Sequence, residues 1–133
     1  MTAQSLAALA GRILLAVLFI FSGIEKIVDP AGTTGYMKSA GMPLPQFFLV
    51  ASIVLELGAS AMLVVGWKTR WAAFALFLFM IPLTVLFHNP FASDPSQFQM
   101  QMIHLMKNLA IIGGLLMAAA FGPGAWSLDR RGA

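Results

Sequence analysis

The most informative part of the chain is residues 44–88, LPQFFLVASIVLELGASAMLVVGWKTRWAAFALFLFMIPLTVLFH. It contains two apolar runs, about 44–65 and 70–88, and each has roughly the 20 residues that a helix needs to cross the hydrocarbon of a bilayer. The two runs are joined only by Gly66-Trp67-Lys68-Thr69, with Thr69 placed to cap the helix that follows. A connection this short predicts an antiparallel pair of membrane helices.

Two further apolar runs, about 6–28 and 95–121, lie on either side of this pair. Asp29-Pro30 ends the first run and begins a short helix that ends near Gly41, because Pro disfavours helical geometry in the residue before it and is favoured at the first helical position. The sequence therefore predicts an all-α fold, an integral membrane antiparallel four-helix bundle with a short extra helix in the first outward-facing loop. Residues 1–133 form a single domain in this interpretation.

The composition places this pattern in a bilayer. Of the 133 residues, 59% are hydrophobic and only 10% are charged, whereas an average soluble domain has about 25% charged residues. So apolar a chain is neither an ordinary small soluble domain nor disordered. The absence of cysteine excludes disulfides, thiolate metal sites and iron–sulfur ligation by this chain. No basic run with interleaved aromatic residues occurs, so no nucleic acid is expected as a partner.

The basic residues predict the orientation of the bundle. The first run is interpreted as a span and not as a signal peptide, because Met1 to Gly11 contain no basic residue and no A-x-A site precedes a separate mature domain. If both termini share one side of the membrane, that side has five basic residues, Arg12, Lys68, Arg70, Arg130 and Arg131, and the other has three, Lys26, Lys38 and Lys107. The larger number is expected to face the cytoplasm, together with both termini.

Glu56 is the polar residue that most needs an explanation. It lies near the middle of its span, where an ionisable side chain costs about 2.5–3.5 kcal/mol. It is therefore expected to be protonated, paired with a cation or directed into a wet cavity. Arg12 lies near the end of its span, and snorkelling of its guanidinium to lipid phosphate explains it.

Potential partners of Glu56 lie at similar depth in the outward-facing half of the other spans. They are Glu25, Lys26, His88, His104, Lys107 and Asn108. Opposite charges that meet at one depth are the least costly arrangement in a low dielectric, so Glu56 and Lys107 are expected to face each other. The sequence predicts a polar pocket that opens toward the outer face, with these seven residues as its ligand-binding candidates.

Three interpretations of this pocket remain open. It is a network that only fixes helix register, a site for a small or lipid-soluble molecule, or a metal or haem site formed by His88 and His104. The third is disfavoured, and no metal is expected, because the two histidines belong to no recognisable ligand-spacing motif. No nucleophile, phosphate-loop or metalloprotease motif occurs either, so no catalytic residue is assigned.

Motifs along nearly the whole chain resemble the DoxX family. The opening motifs are Gly11-Arg12-Ile13-Leu14-Leu15, Phe19-Ile20-Phe21-Ser22-Gly23-Ile24-Glu25-Lys26 and Asp29-Pro30. The central motifs are Gly41-Met42-Pro43, Glu56-Leu57-Gly58 and Gly66-Trp67-Lys68-Thr69-Arg70. The closing motifs are Lys107-Asn108-Leu109, Gly113-Gly114 and Phe121-Gly122-Pro123-Gly124-Ala125-Trp126-Ser127-Leu128-Asp129, in which Ala125 replaces a frequent basic residue. The resemblance implies a four-helix protein of the bacterial inner membrane and, as for many members, a subunit of a quinone-linked oxidoreductase.

Two functions follow as hypotheses. In the first, the chain is a membrane subunit of an oxidoreductase complex that binds quinone, with Glu56 as proton acceptor and Lys107 or His104 polarising a quinone carbonyl. In the second, it is a non-enzymatic binding, assembly or transport protein whose pocket recognises a small ligand or a partner chain. Small residues every four positions, as in Ala7/Gly11 and Ala110/Gly114/Ala118, predict close packing within the bundle, in a homo-oligomer or against a partner.

Overall fold

The computed structural model describes residues 2–131, so residues 1, 132 and 133 of the predicted single domain lie outside it. The elements are α1 (Ala3–Val28), α2 (Pro30–Ser39), α3 (Pro45–Val65), α4 (Thr69–Phe87), a 3-10 helix (Pro95–Gln97), α5 (Phe98–Phe121) and α6 (Leu128–Arg131). Four of them, α1, α3, α4 and α5 with the 3-10 turn before it, are long and apolar enough to cross a membrane. The part of the chain that the structure describes contains no strand. The predicted all-α four-helix membrane bundle is confirmed.

The four long helices pack as a ring in chain order. α1 lies against α3, α3 against α4 and α4 against α5, while α1 and α5 touch over a shorter length. Neighbours run antiparallel: Arg12 near the start of α1 reaches Leu63 near the end of α3, whereas Lys26 near the end of α1 reaches Glu56 in the middle of α3. The buried core lies between α1, α3 and α4, and Leu115 is the only residue of α5 buried in it.

The bundle has two ends that differ in chemistry. We call them the α2 end, which contains α2, residues 88–97 and the first turns of α3, and the terminal end, which contains the start of α1, the turn between α3 and α4 and residues 122–131. Most apolar side chains outside the core are exposed on the sides of the bundle between these ends. A bilayer accommodates this surface, since its side chains are apolar and every backbone polar group of a helix is satisfied internally.

The predicted short extra helix is α2. Its N-cap is Asp29, whose Oδ1 accepts a hydrogen bond from the backbone N–H of Gly32 at 3.0 Å, and Pro30 occupies the first helical position. Met37 on α2 is buried, and the Tyr36 ring stacks on Phe87 at the end of α4 with 5.0 Å between ring centroids. These contacts hold α2 across the ends of α3 and α4.

Arg12 is buried at the terminal end, so the prediction that it snorkels to lipid phosphate is wrong. Arg12 is only 3% exposed, and its Nη1 donates hydrogen bonds to the carbonyl oxygens of Leu63 at 2.8 Å and Val64 at 3.3 Å. Nη2 donates to the carbonyl oxygen of Trp126. The last carbonyl groups of a helix have no partner within it, so the guanidinium satisfies the end of α3 and fixes the carboxyl-terminal segment to it.

Asp129 caps α4 from the other end of the chain. Its carboxylate accepts hydrogen bonds from the backbone N–H groups of Lys68 at 2.6 Å and Thr69 at 2.9 Å, and its own N–H donates to the Gly66 carbonyl at 2.9 Å. The predicted cap by Thr69 is therefore wrong, since Thr69 is the first residue of α4. Gly66 has φ 71°, and a Cβ there would lie 2.3 Å from the Cβ of Ser127, so the close approach requires glycine.

Candidate functional site

An ion pair joins the end of α1 to the middle of α3, on the side of the bundle nearer the α2 end. Lys26 Nζ lies 2.8 Å from both carboxylate oxygens of Glu56. Ser22, one helical turn before Lys26, donates from its hydroxyl to Glu56 Oε1 at 3.2 Å and accepts a hydrogen bond from Lys26 Nζ at 3.2 Å. Glu56 is 2% exposed. Of the explanations predicted for a carboxylate at this depth, the structure shows pairing with a cation.

The local sequence explains why these three side chains meet. Ser22 and Lys26 are four residues apart, so they lie on the same face of α1, and that face packs against α3. Between them lies Gly23, where α1 comes close enough to α3 that a Cβ would be 2.7 Å from the Leu57 side chain. The two charges neutralise each other, which reduces the cost of keeping either in a low dielectric.

A second polar cluster lies between α4 and α5, near the α2 end. Asn108 donates from its side-chain amide to Thr84 Oγ1 at 3.1 Å. His88 Nδ1 and Gln101 Oε1 are 3.0 Å apart, and the rings of His88 and His104 stack with 4.8 Å between centroids. Within residues 2–131 no three histidine, aspartate or glutamate side chains come together as a group that could hold a metal ion.

Two of the seven predicted site residues stay outside both polar clusters. Glu25 and Lys107 are exposed, and neither forms an ion pair or a side-chain hydrogen bond within the described chain. The expected meeting of Glu56 with Lys107 does not occur, because the carboxylate is held by Lys26. Helix geometry keeps Glu25 and Lys107 out of the clusters. Each successive residue rotates the side-chain direction by about 100° around the helix axis, so Glu25 faces away when Lys26 faces α3. Lys107 is likewise turned away when Asn108 faces α4.

An apolar cavity of about 410 Å³ opens at the α2 end between α2, α3 and α4. Its lining residues are Met37, Gly41, Met42, Pro43, Phe48, Ala51, Ser52, Leu55, Phe79, Pro82, Leu83 and Leu86. Ser52 is the one residue of this lining with a polar side chain, and its hydroxyl donates to the Phe48 carbonyl one turn earlier.

The cavity and the ion pair meet at Phe79. This side chain lines the cavity, and its ring lies under Lys26 with 6.0 Å from Nζ to the ring centroid. Leu55, which precedes Glu56 on α3, lines the same wall. The sequence could not reveal this cavity, since its lining residues, apolar except for Ser52, are spread over three helices and a loop.

Comparison with known proteins supplies the family and three relatives. The DoxX family model matches residues 7–89. Inner membrane protein YqjF of Escherichia coli strain K12 is 39% identical over 127 residues, covering 96% of this chain and 92% of that protein. Inner membrane protein YphA of the same organism is 34% identical over 123 residues, covering 92% of this chain and 88% of that protein.

A third relative is a mycobacterial membrane protein. Uncharacterized membrane protein Rv3486 of Mycobacterium tuberculosis is 32% identical over 127 residues, covering 90% of this chain and 77% of that protein. No solved structure shows a significant match to the chain. The similarity to all three relatives extends beyond residue 89, where the match to the family model ends.

Proposed function

The chain belongs to the DoxX family of integral membrane proteins, and from this premise we propose that it is a quinone-binding subunit of an oxidoreductase complex in the bacterial inner membrane. The observation that carries the proposal is the apolar cavity at the α2 end, whose lining residue Phe79 contacts Lys26 of the Lys26–Glu56 pair. The location follows the two Escherichia coli relatives, which are named as inner membrane proteins.

The cavity suits a small lipid-soluble ring. Its volume of about 410 Å³ lies within the range of about 300–1,000 Å³ of small-molecule sites, and its lining is apolar apart from Ser52. A quinone presents apolar faces to such a lining and needs a donor for its carbonyl oxygens. Lys26, whose ammonium lies over the lining residue Phe79, is a charged donor beside the cavity, so in the proposed site it takes the polarising role that the sequence assigned to Lys107 or His104. Glu56 is the proton acceptor of the proposed site.

The electrons would come from another protein. The chain has no cysteine, so any iron–sulfur cluster of the complex belongs to a partner subunit. This chain would then bind the quinone, orient it and exchange protons with it. A partner subunit is therefore part of the proposal.

Filling the cavity tests whether it is the binding site. The purified chain in lipid nanodiscs is titrated with a short-tailed ubiquinone analogue, and Leu83→Trp, inside the cavity, is compared with Leu116→Trp on the exposed face of α5. We expect Leu83→Trp to weaken binding about tenfold or more, because the added ring occupies the volume of the ligand. Leu116→Trp should bind as the wild type does. Equal affinity of both variants, or no binding by the wild type, rejects the proposal.

Replacing the whole ion pair separates a functional role from an architectural one. Exchange of a buried ion pair for apolar residues of similar volume is often neutral or stabilising, so Lys26→Met/Glu56→Leu should still fold. If the pair interacts with quinone, this variant binds the analogue about tenfold more weakly, the loss expected for a hydrogen bond to a charged group. Unchanged affinity in a folded variant would assign the pair to architecture alone.

A further inference from the structure

The terminal end of the bundle has an excess of positive charge. The terminal end has Arg12, Lys68, Arg70 and Arg130, with Asp129 as its only carboxylate among the described side chains. Arg12 and Asp129 are committed to backbone groups, which leaves Lys68, Arg70 and Arg130 as exposed cations. No described carboxylate on this end neutralises these three.

A groove of about 440 Å³ lies at the same end, beside α1 and the end of α3. It is lined by Leu9, Val65, Ala125, Trp126, Ser127 and Leu128. The groove is fixed in shape because Arg12 binds the Trp126 carbonyl and Asp129 N–H binds the Gly66 carbonyl. Trp126 remains 53% exposed, as expected for an aromatic residue at a membrane interface.

Two of the exposed cations, Lys68 and Arg130, belong to residues whose backbone borders this groove. The Lys68 backbone is next to it, with its N–H 2.6 Å from the carboxylate of Asp129, the residue after Leu128. The Lys68 ammonium lies over the Trp67 ring, with 5.0 Å from Nζ to the ring centroid. The Arg130 backbone is also next to it, with its N–H 3.3 Å from the hydroxyl of Ser127, and the Arg130 side chain is exposed. Arg70 lies elsewhere, against the end of α5 at Gly122.

We propose that this groove binds an anionic phospholipid, with an acyl chain along Leu9, Val65 and Leu128 and the headgroup phosphate between Lys68 and Arg130. Charge complementarity identifies the occupant, since each Lys or Arg near an anionic leaflet favours binding about fivefold. A second copy of the chain does not fit, because a symmetric contact at this end would bring like charges together. The site is separate from the quinone cavity, which lies at the α2 end, and does not depend on the function proposed for that cavity.

Quenching of Trp126 fluorescence by brominated lipid tests the proposal. The variant Trp67→Phe/Trp71→Phe keeps Trp126 as the only tryptophan of the chain. It is reconstituted into zwitterionic bilayers that contain equal small fractions of either brominated phosphatidylglycerol or brominated phosphatidylcholine. We expect the anionic lipid to quench Trp126 with an apparent affinity at least about fivefold higher than that of the zwitterionic lipid. Equal quenching by the two lipids would overturn the proposal.

Charge-matched variants locate the site. Lys68→Gln/Arg130→Gln, in the single-tryptophan background, should abolish the preference for the anionic lipid. Lys38→Gln/Lys107→Gln removes the same charge outside the terminal end and should retain the preference. Loss of the preference in both double variants would show a general attraction to charge and reject this site.

Native mass spectrometry of the wild-type chain provides a measurement without tryptophan replacement. After extraction from mixed bilayers, bound phosphatidylglycerol should remain in excess over its bulk fraction, and added inorganic phosphate should not displace it. Retention of lipid in bulk proportion contradicts the proposal. Displacement by phosphate alone would assign the cations to a free anion instead.

Discussion

At the scale of single residues, the buried ion pair of Lys26 and Glu56 requires both of its members. Removing one member of a buried pair leaves the other charge without a partner, which costs about 3–5 kcal/mol, whereas replacing both by apolar residues is often neutral. Lys26→Met should therefore lower the free energy of unfolding by about 3 kcal/mol, and Lys26→Met/Glu56→Leu should recover most of that loss. Thermal unfolding in detergent measures both.

Glu25→Gln is the control for this pair, because Glu25 is adjacent in sequence but exposed. Its effect should stay within about 0.5 kcal/mol of the wild type, as for most surface substitutions. If Lys26→Met were no more destabilising than Glu25→Gln, the ion pair would not hold α1 against α3.

The carboxylate of Asp129 should make the stability of the fold depend on pH. Burial of its carboxylate favours the neutral form, but the hydrogen bonds from the N–H groups of Thr69 and Lys68, with Arg12 nearby, outweigh this and hold the pKa of Asp129 below its ordinary value. A carboxylate whose folded pKa is lowered stabilises the fold above its unfolded pKa, about 3.9, and this contribution disappears as the pH falls through the folded pKa. The wild type should thus be more stable than Asp129→Asn at pH 7, and the difference should shrink below about pH 4.

Melting temperatures of the two chains at a series of pH values check this. Glu25→Gln, which also removes one negative charge, corrects for the change in net charge. A difference between wild type and Asp129→Asn that stayed constant from neutral to acidic pH would mean that the carboxylate does not cap α4.

The sequence predicted how deep in the membrane each polar residue lies, but not the direction in which its side chain points around the helix axis. Hydropathy and connectivity placed Glu56 and Lys26 in the same half of the bundle, and the structure joins them. Glu25 and Lys107 met the same criterion of depth, but each is one residue away from an inward-facing neighbour. The face of each helix that packs inward depends on contacts between helices, which no single apolar run records because both faces are apolar.

At the scale of helices, small residues allow close packing, but the position where α1 packs most closely is not one of the four-residue pattern. A Cβ on Gly11, which belongs to the four-residue pattern Ala7/Gly11, would meet nothing within 4 Å, whereas one on Gly23 would lie 2.7 Å from the Leu57 side chain. Gly114 is intermediate, with Leu15 at 3.4 Å. Close approach of α1 to α3 at Gly23 is what lets Ser22 and Lys26 reach Glu56.

Alanine substitutions in α1 separate these two kinds of glycine. Gly11→Ala should be neutral or stabilising by up to about 1 kcal/mol, because alanine has the higher helix propensity and the space is open. Gly23→Ala gains the same propensity but must displace Leu57, and overpacking typically costs about 1–3 kcal/mol. Gly23→Ala should therefore melt below Gly11→Ala. Equal melting temperatures would show that α3 yields freely at this contact.

The whole molecule owes its four-helix form to signals that the sequence carries locally, namely the length of each apolar run and the short turn at 66–69. The contacts that hold the carboxyl-terminal segment at the terminal end could not be predicted in this way, since Arg12, Gly66 and Asp129 come from three distant parts of the chain. Each has an ordinary local explanation as a snorkelling residue, a turn glycine or a surface carboxylate. Their joint role depends on the carboxyl-terminal segment folding back over the α3–α4 turn.

Orientation in the membrane is the prediction that belongs to the molecule as a whole. The terminal end carries the larger number of basic residues, so the positive-inside rule predicts that both termini face the cytoplasm and the α2 end faces outward. Because the chain has no cysteine, a single introduced cysteine reports its own side of the membrane. A maleimide that cannot cross the membrane should label Ser96→Cys at the α2 end in intact cells and label Gln4→Cys at the terminal end only after permeabilisation. The reverse pattern would invert the bundle and place the proposed phospholipid groove in the outer leaflet.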